Sequence, residues 1–534
     1  MLSKLIFCSI LVIISVLLAT QIQDDPKLEI LLDKSSKYVG VQHPRDLGFD
    51  GSGIKIAIID TGIDYNHPDL FGLGKDGKVI GGFDFVENDD FPLDTNGHGT
   101  EVAGVIAADG GLKGIAPKAK LLSYRVSDTG SSVSSDLIVK AINRAVQDGA
   151  DIINLSLGVN RTNDNIEDAI NHAVKNGVVV VAAAGNSGPD PMSIGSPGRD
   201  PHAITVGATY NNLTASLVAT FEIDGKRLQV LPMVGIEQIA EPVTAEIVFG
   251  KYGRQDDLSD VNAKGKILLI ERGSDKKDEL VYFSEKEKNS AAVGARAIIV
   301  FNNGPGIFLG DLKNKMAGPD YKPAIPAVSM SREDGLSLKA MLENKIVGTL
   351  NAFYHPDFVS FFSSRGPVSP FYIKPDLVAP GVFVNTTTIS GRYNLTSGTS
   401  FAAPHVSGAA AILLQKNPSL SPEEVSSLIS TTADPISDTY DTRFMQEIGG
   451  AGRLNITKAF DADLIIIPSY AIFNLSPFTK TQTVSFELRT IGGSNQDILV
   501  DIDVDQNTTK FEHSVSGETL DVKATLVGQS SGQH

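Results

Sequence analysis

From Ile54 onward the chain alternates short apolar runs with amphipathic stretches. Ile54-Lys55-Ile56-Ala57-Ile58-Ile59 is mostly apolar and ends in Asp60-Thr61-Gly62. Between 136 and 148, Leu137, Ile138, Ala141, Ile142 and Ala145 recur at helical spacing, and Gly149 follows as a stop. Asp151-Ile152-Ile153-Asn154-Leu155 is the next apolar run; a helix is predicted over 165–176 with Gly177 behind it, and 178–184 is apolar again. Buried apolar strands separated by helices of about 10–15 residues predict βαβ units and an α/β fold with a parallel sheet flanked by helices.

From about Tyr210 to Asp357 the texture changes. Candidate strands crowd together at 215–223, 243–248 and 265–271; a helix near 283–293 leads into an apolar run at 297–301, and another helix is predicted near 331–343. This block reads as a separate, β-rich α/β insert. Helical texture resumes at Ser363. Ser421-Pro422-Glu423-Glu424 is a good helix start, with an N-cap serine, proline in the first turn and glutamate three residues on. After about Phe460 the alternation is β-like at 483–488 and 498–504. That predicts a β-sandwich-like segment, although about 70 residues is short for a complete one.

A length of 534 residues fits two to four domains, and 42% hydrophobic with 20% charged residues suits globular units with sizeable cores. The 63 acidic against 46 basic residues leave a net charge of −17, which gives no electrostatic footprint for nucleic acid. Lys4, the apolar stretch behind it, and the small residues Ala19 and Thr20 read as a signal peptide over 1–20. The alternative, an uncleaved anchor, is disfavoured because the run is short for a membrane span. No later stretch is apolar and long enough to cross a bilayer, so no stable span is expected after signal removal. The one cysteine, Cys8, falls inside that leader, so a mature chain would hold no disulfide.

Three motifs carry candidate chemistry: Asp60-Thr61-Gly62 at the mouth of a buried strand, Asn96-Gly97-His98-Gly99-Thr100 before a helical stretch at 102–108, and Ser397-Gly398-Thr399-Ser400-Phe401-Ala402-Ala403-Pro404-His405 opening an apolar helix. Singly, each has an ordinary structural reading: a turn aspartate, a structural histidine, an N-cap serine. Together they supply the nucleophile, base and orienting carboxylate that acyl transfer needs. Glycines around His98 and before Ser400 let backbone approach a ligand closely, and Pro404 is expected within the first helical turn, where a missing N–H costs little. Ala184-Gly185-Asn186-Ser187-Gly188 ends another buried strand with an amide side chain, a candidate oxyanion donor beside the Ser400 N–H.

On these motifs the chain resembles the subtilisin-like serine protease family, in the branch with an inserted protease-associated domain. The resemblance implies a serine endopeptidase with Asp60 as carboxylate, His98 as base, Ser400 as nucleophile and Asn186 as oxyanion donor. It implies that Ser156-Leu157-Gly158 lines the substrate as an edge strand, and that Gly185 and Gly195 wall a first pocket that should be roomy and accept large apolar residues. The expected division is a signal peptide at 1–20, a discontinuous catalytic domain at 21–210 and 357–460, the protease-associated insert at 221–352, and a C-terminal segment at 461–534. Gly265-Lys266-Ile267-Leu268-Leu269-Ile270 and Gly294-Ala295-Arg296-Ala297-Ile298-Ile299 carry the likeness of the insert. Its expected role is a lid that helps choose protein substrates.

Departures from the family pattern shape further expectations. Glu101 stands where the family usually has a second histidine. Gly130-Ser131-Ser132-Val133 replaces a glycine-rich loop lining further subsites. The loop after the histidine helix is short, and Asp69 alone cannot supply the roughly six or more oxygens that calcium wants, so no metal site is identifiable and no cofactor is required. The stretch 21–38 is too short for the family's propeptide. The partners expected are protein and peptide substrates, with no nucleic acid, for a secreted, extracellular or cell-surface monomer. Because His98 must be neutral to accept a proton, activity should rise through the ordinary histidine range near 6.5. An aspartic protease pairing Asp60 with Asp128 is excluded by the βαβ surroundings and dissimilar flanks, and an esterase by the absence of a Gly-x-Ser-x-Gly elbow around Ser400. The alternative from another class is a catalytically inactive adhesin or scaffold on the same fold.

Overall fold

A computed structural model of the chain describes residues 31–527, apart from 131–132, 160, 211–216, 278, 314–316, 319, 356, 370–371, 441, 492–497 and 503–508. The signal-peptide reading of 1–20, with Cys8, lies outside the described residues, as do Ser131 and Ser132. Strands β1 (Lys55–Asp60), β2 (Val79–Asp84), β3 (Lys120–Arg125), β4 (Ile152–Leu155), β5 (Val179–Ala183) and β6 (Ile204–Thr209) alternate with helices His98–Ala107, Ser135–Gln147 and Asp164–Lys175. Asn163 caps the last of these, its side chain accepting from the Ile166 N–H at 3.2 Å.

The chain then leaves for a second sheet made of β7 (Leu217–Ile223), β8 (Lys226–Leu228), β9 (Val230–Pro232), β10 (Val243–Phe249), β11 (Ile267–Glu271), β12 (Ala297–Phe301), β13 (Ala327–Met330) and β14 (Val347–Tyr354). It returns at β15 (Leu377–Pro380), which completes a seven-stranded sheet in the order β15-β6-β5-β4-β1-β3-β2, parallel throughout. Alternation along β1 explains the layering. Ile56 and Ile58 join one core with the histidine helix (His98–Ala107) and the long helix Thr399–Lys416, while Ala57 and Ile59 join the other with Ser135–Gln147 and Asp164–Lys175.

The second sheet has eight strands in the order β8-β7-β14-β10-β11-β12-β13-β9, parallel from β10 to β13 and antiparallel outside them, with its own apolar clusters on both faces. Its two ends meet: Tyr210 N–H donates to the Phe358 carbonyl at 3.0 Å, and Thr209 bridges Val359. Departure and return therefore occupy one point beyond β6, and the insertion leaves the first sheet unbroken. Arg227, in β8, lies over the Tyr440 ring at 3.9 Å and ties the two bodies together.

Helix Pro422–Thr431 starts as its sequence dictates, with Ser421 and Glu424 exchanging side-chain-to-backbone hydrogen bonds. The C-terminal strands β18 (Leu464–Ile467), β19 (Thr481–Thr490), β20 (Thr509–Ser516) and β21 (Thr519–Leu526) form an antiparallel sheet in the order β18-β19-β21-β20, after a hairpin of β16 (Val384–Thr388) and β17 (Arg392–Thr396). Arg489 pairs with the buried Glu424 at 2.6 Å and links this sheet to the main body. Over its described part the strand expected at 498–504 is corrected, since 498–502 is irregular; 503–504 lie outside the described residues. The partner strands are instead joined at Gly517-Glu518, where Gly517 has φ +60° as a tight hairpin requires.

Candidate active site

Asp60 ends β1 at the carboxyl edge of the parallel sheet, where open α/β folds place their ligands. It is 3% exposed, and its Oδ1 lies 2.7 Å from His98 Nδ1 while accepting the Thr61 N–H at 2.8 Å. The turn that carries His98 is held by a residue that the sequence reading missed. Buried Asp94 accepts the N–H groups of Asn96 and Gly97 on one oxygen, at 2.8 and 2.9 Å, and the N–H and hydroxyl of Thr100 on the other. Thr61 Oγ1 donates to Asp94 at 3.0 Å and accepts the Gly99 N–H at 2.9 Å, so the aspartate turn and the histidine helix are pinned to each other. Its signal was an aspartate two residues before the Asn96-Gly97-His98 motif.

Ser400 sits in the first turn of Thr399–Lys416 and is 9% exposed. Its hydroxyl donates to the Ser156 carbonyl at 3.0 Å rather than to the imidazole. The expectation for Pro404 is corrected. The helix starts at residue 399, so residue 404 lies beyond the first turn, and its missing N–H deprives the Ser400 carbonyl of its helical partner. Ser156 Oγ donates to that carbonyl at 2.8 Å, Asn154 Nδ2 donates to Ser156 Oγ at 2.9 Å, and Ser407 Oγ donates to Asn154 Oδ1 at 2.8 Å. A buried polar chain thus replaces the lost bond and fixes the backbone of the serine against β4.

Asn186 follows β5. Its Oδ1 accepts both the N–H and the hydroxyl of Thr399, at 2.9 and 3.0 Å, which orients the amide and leaves Nδ2 on the cleft side. A cleft of about 370 Å³ brings together His98, Ser156, Leu157, Gly158, Gly185, Asn186, Gly195 and Ser400, with Gly130 also on its wall. Apart from His98, no described residue with a titratable side chain lines it. The glycines on the cleft wall also meet a packing need. A Cβ on Gly195 would lie 1.8 Å from the Val159 carbonyl oxygen, and one on Gly185, at φ +105°, would lie 2.9 Å from Ser364 Oγ. Both glycines are needed for close packing behind the cleft wall, so the room in the pocket is set by the loops around them.

The electrostatics also move an expectation. Burial alone would lower the His98 pKa, but the adjoining Asp60 carboxylate, with Glu101 and Asp94 further off, outweighs it and raises the imidazole to about 9. Activity limited by neutral His98 should therefore appear above the ordinary histidine range. Glu101 itself is buried and accepts from Asn394 Nδ2 at 2.7 Å; burial pushes its carboxyl up. Asp69 does not fit a calcium ligand. Its oxygens accept the N–H groups of Gly111 and Leu112, each at 2.8 Å, and the Tyr393 hydroxyl, and among the described residues no cluster of acidic, histidine or cysteine side chains is arranged for a metal.

Known proteins resemble the chain over much of its length. The family described as the subtilase family matches residues 51–452. The minor extracellular protease Vpr of Bacillus subtilis (strain 168) is 35% identical over 485 residues, covering 86% of this chain and 58% of its own length. The PII-type proteinase of Lacticaseibacillus paracasei is 29% identical over 560 residues, covering 86% of this chain and 29% of its own. Thermitase of Thermoactinomyces vulgaris is 44% identical over 176 residues, 32% of this chain and 61% of its own. The chain spans less than two thirds of each of these relatives.

Proposed function

The chain belongs to the subtilase family, and from that premise we propose that it is a secreted serine endopeptidase. The observation that carries the reading is the convergence of the Asp60–His98 pair, Ser400 at a helix start and the oriented Asn186 amide on one cleft. In this reading His98 Nε2 takes the Ser400 proton as Oγ attacks the scissile carbonyl, and Asp60 holds the imidazole tautomer and stabilises the cation that forms. Asn186 Nδ2 and the Ser400 N–H stabilise the oxyanion. His98 then protonates the leaving amine, and water, activated in the same way, releases the acyl-enzyme. Rotation of the Ser400 hydroxyl from the Ser156 carbonyl toward His98 readies the nucleophile.

The backbone of 156–158 would pair with the acyl side of an extended peptide, and the lack of a charged wall among the described residues favours a large apolar side chain in the first pocket. The chemistry needs no metal or cofactor. Extracellular action of a monomer on protein and peptide substrates is the setting proposed, with the insert as a protease-associated lid over the cleft. Fluorophosphonate labelling with casein hydrolysis tests the reading: both should be present in the parent and lost in Ser400→Ala. Casein digestion by Ser400→Ala at the parental rate would sink it.

A further inference from the structure

Beyond the cleft lies a second cavity, of about 520 Å³, at the seam between the two sheets. Leu228, Val234, Leu309 and Tyr354 of the insert form one wall, and Phe361 and Phe383 of the main body form the other. Two contacts set it directly beside the catalytic cleft, and a third joins the backbone between them. Phe383 N–H donates to Ser397 Oγ at 2.9 Å; Ser193 and Arg365 exchange hydrogen bonds at 2.9 and 3.0 Å; and Gly188 N–H donates to the Phe362 carbonyl at 2.8 Å. Ser397 and Ser193 line the cleft, while Phe383 and Arg365 line the seam. The sheet order fixes the direction. Ser156-Leu157-Gly158 follows β4, Asn186 follows β5, and the seam lies over the ends of β6 and β15, on the far side of Ser400 from the acyl-side edge.

We propose that this seam cavity binds an apolar side chain on the leaving-group side of the substrate, a few residues beyond the cut bond. The proposal rests on the endopeptidase reading. A peptide suits the cavity because its walls are mainly apolar and because Phe383 and Arg365 tie it directly to Ser397 and Ser193 of the cleft that would hold the rest of the substrate chain. Because insert and main body each supply a wall, the insert would choose substrates by a contact of its own and not only by covering the cleft.

The test uses internally quenched peptides that share one acyl side and carry a single Phe, among Gly and Ser, at the second to fifth leaving-side position. At one position Phe should raise kcat/KM about tenfold over the parent peptide, the effect of burying much of one large apolar side chain. Leu309 and Val234 are 49% and 44% exposed, so Leu309→Glu and Val234→Glu need bury no charge to fold. Each should abolish the Phe gain, read as a ratio within one variant, and Leu309→Met should keep it. The idea is overturned if no position shows a gain, or if the gain survives both glutamate variants. Laurate tests the rival occupant: saturable binding that Leu309→Glu removes, without any Phe gain, would assign the cavity to a fatty acid instead. A short chromogenic peptide with no leaving-side residues separates the two readings, since its hydrolysis without a Phe gain sinks only the seam site, whereas no hydrolysis sinks the endopeptidase.

Discussion

Both large sheets gather charged groups just beyond the carboxyl ends of parallel strands, and they treat them in opposite ways. Beyond β10 and β11 in the insert, fully buried Lys286 donates to the carbonyls of Tyr252, Glu271 and Gly273. Arg254 beside it pairs with Asp257, Asp275 and Glu279 at 2.7–2.8 Å. Each cation there meets as many acceptors as it has directions to donate, and the cluster is closed. Beyond β1 and β5 the arrangement is open. Asp60 holds His98 by one nitrogen only, buried Asp60 Oδ2 has no partner among the described residues, and Asn186 spends its oxygen on Thr399 while its nitrogen faces a cavity. A satisfied cluster stabilises a fold, whereas a cluster with spare donors aimed at empty space is prepared for a ligand.

Two substitutions should break the symmetry of that comparison. Asn186→Ala removes only the spare donor, so kcat should fall by about 10²–10³ with little change in KM and little change in melting temperature. An unchanged kcat would show that the open arrangement is not poised for an oxyanion. Lys286→Met has the opposite signature. It strands buried carbonyls in the insert and should cost about 2–3 kcal/mol of stability, seen in denaturant unfolding, while kcat on a short peptide stays at the parental value. If Lys286→Met lowered kcat and left stability intact, the closed cluster would belong to the chemistry.

The two regions were unequally legible in the sequence. Asp60, His98, Asn186 and Ser400 each stand at the end of a strand or the start of a helix within a short glycine-marked motif, so local pattern alone placed them on one edge of the sheet. What escaped were features made by segments far apart in the chain. The Ser407–Asn154–Ser156 relay depends on where the serine helix begins, and a register error of a few residues hid the gap that Pro404 opens. The packing need at Gly195 was hidden because its neighbour Val159 belongs to another loop. At 498–502 alternation suggested a strand, but a strand also needs a partner edge, and β21 gives its edge to the more polar β20.

The smallest expected effect sharpens the comparison most, because it asks how far the open site feels its surroundings. His98 must be neutral to act, and its pKa is raised, so kcat/KM should climb along a limb centred above the ordinary 6.5 or so, with the optimum in alkaline solution. The same shift has the opposite sign for stability. Pairing with Asp60 favours protonated His98 in the folded state, so its stabilising contribution is complete below about pH 6.5 and is lost as pH rises toward the folded pKa. Over that interval activity should grow while this part of the stability fades. Glu101→Gln tunes both without touching the pair, since glutamine keeps the oxygen that accepts from Asn394 and removes one negative charge near the imidazole. The activity limb should move to lower pH by about 0.5 or less, with kcat/KM equal to the parent's on the alkaline plateau. Full pH profiles of the two proteins on one short peptide measure it. A limb that stays in place would show that Asp60 alone sets the base, and a lowered plateau would show that Glu101 positions His98 rather than only biasing its charge.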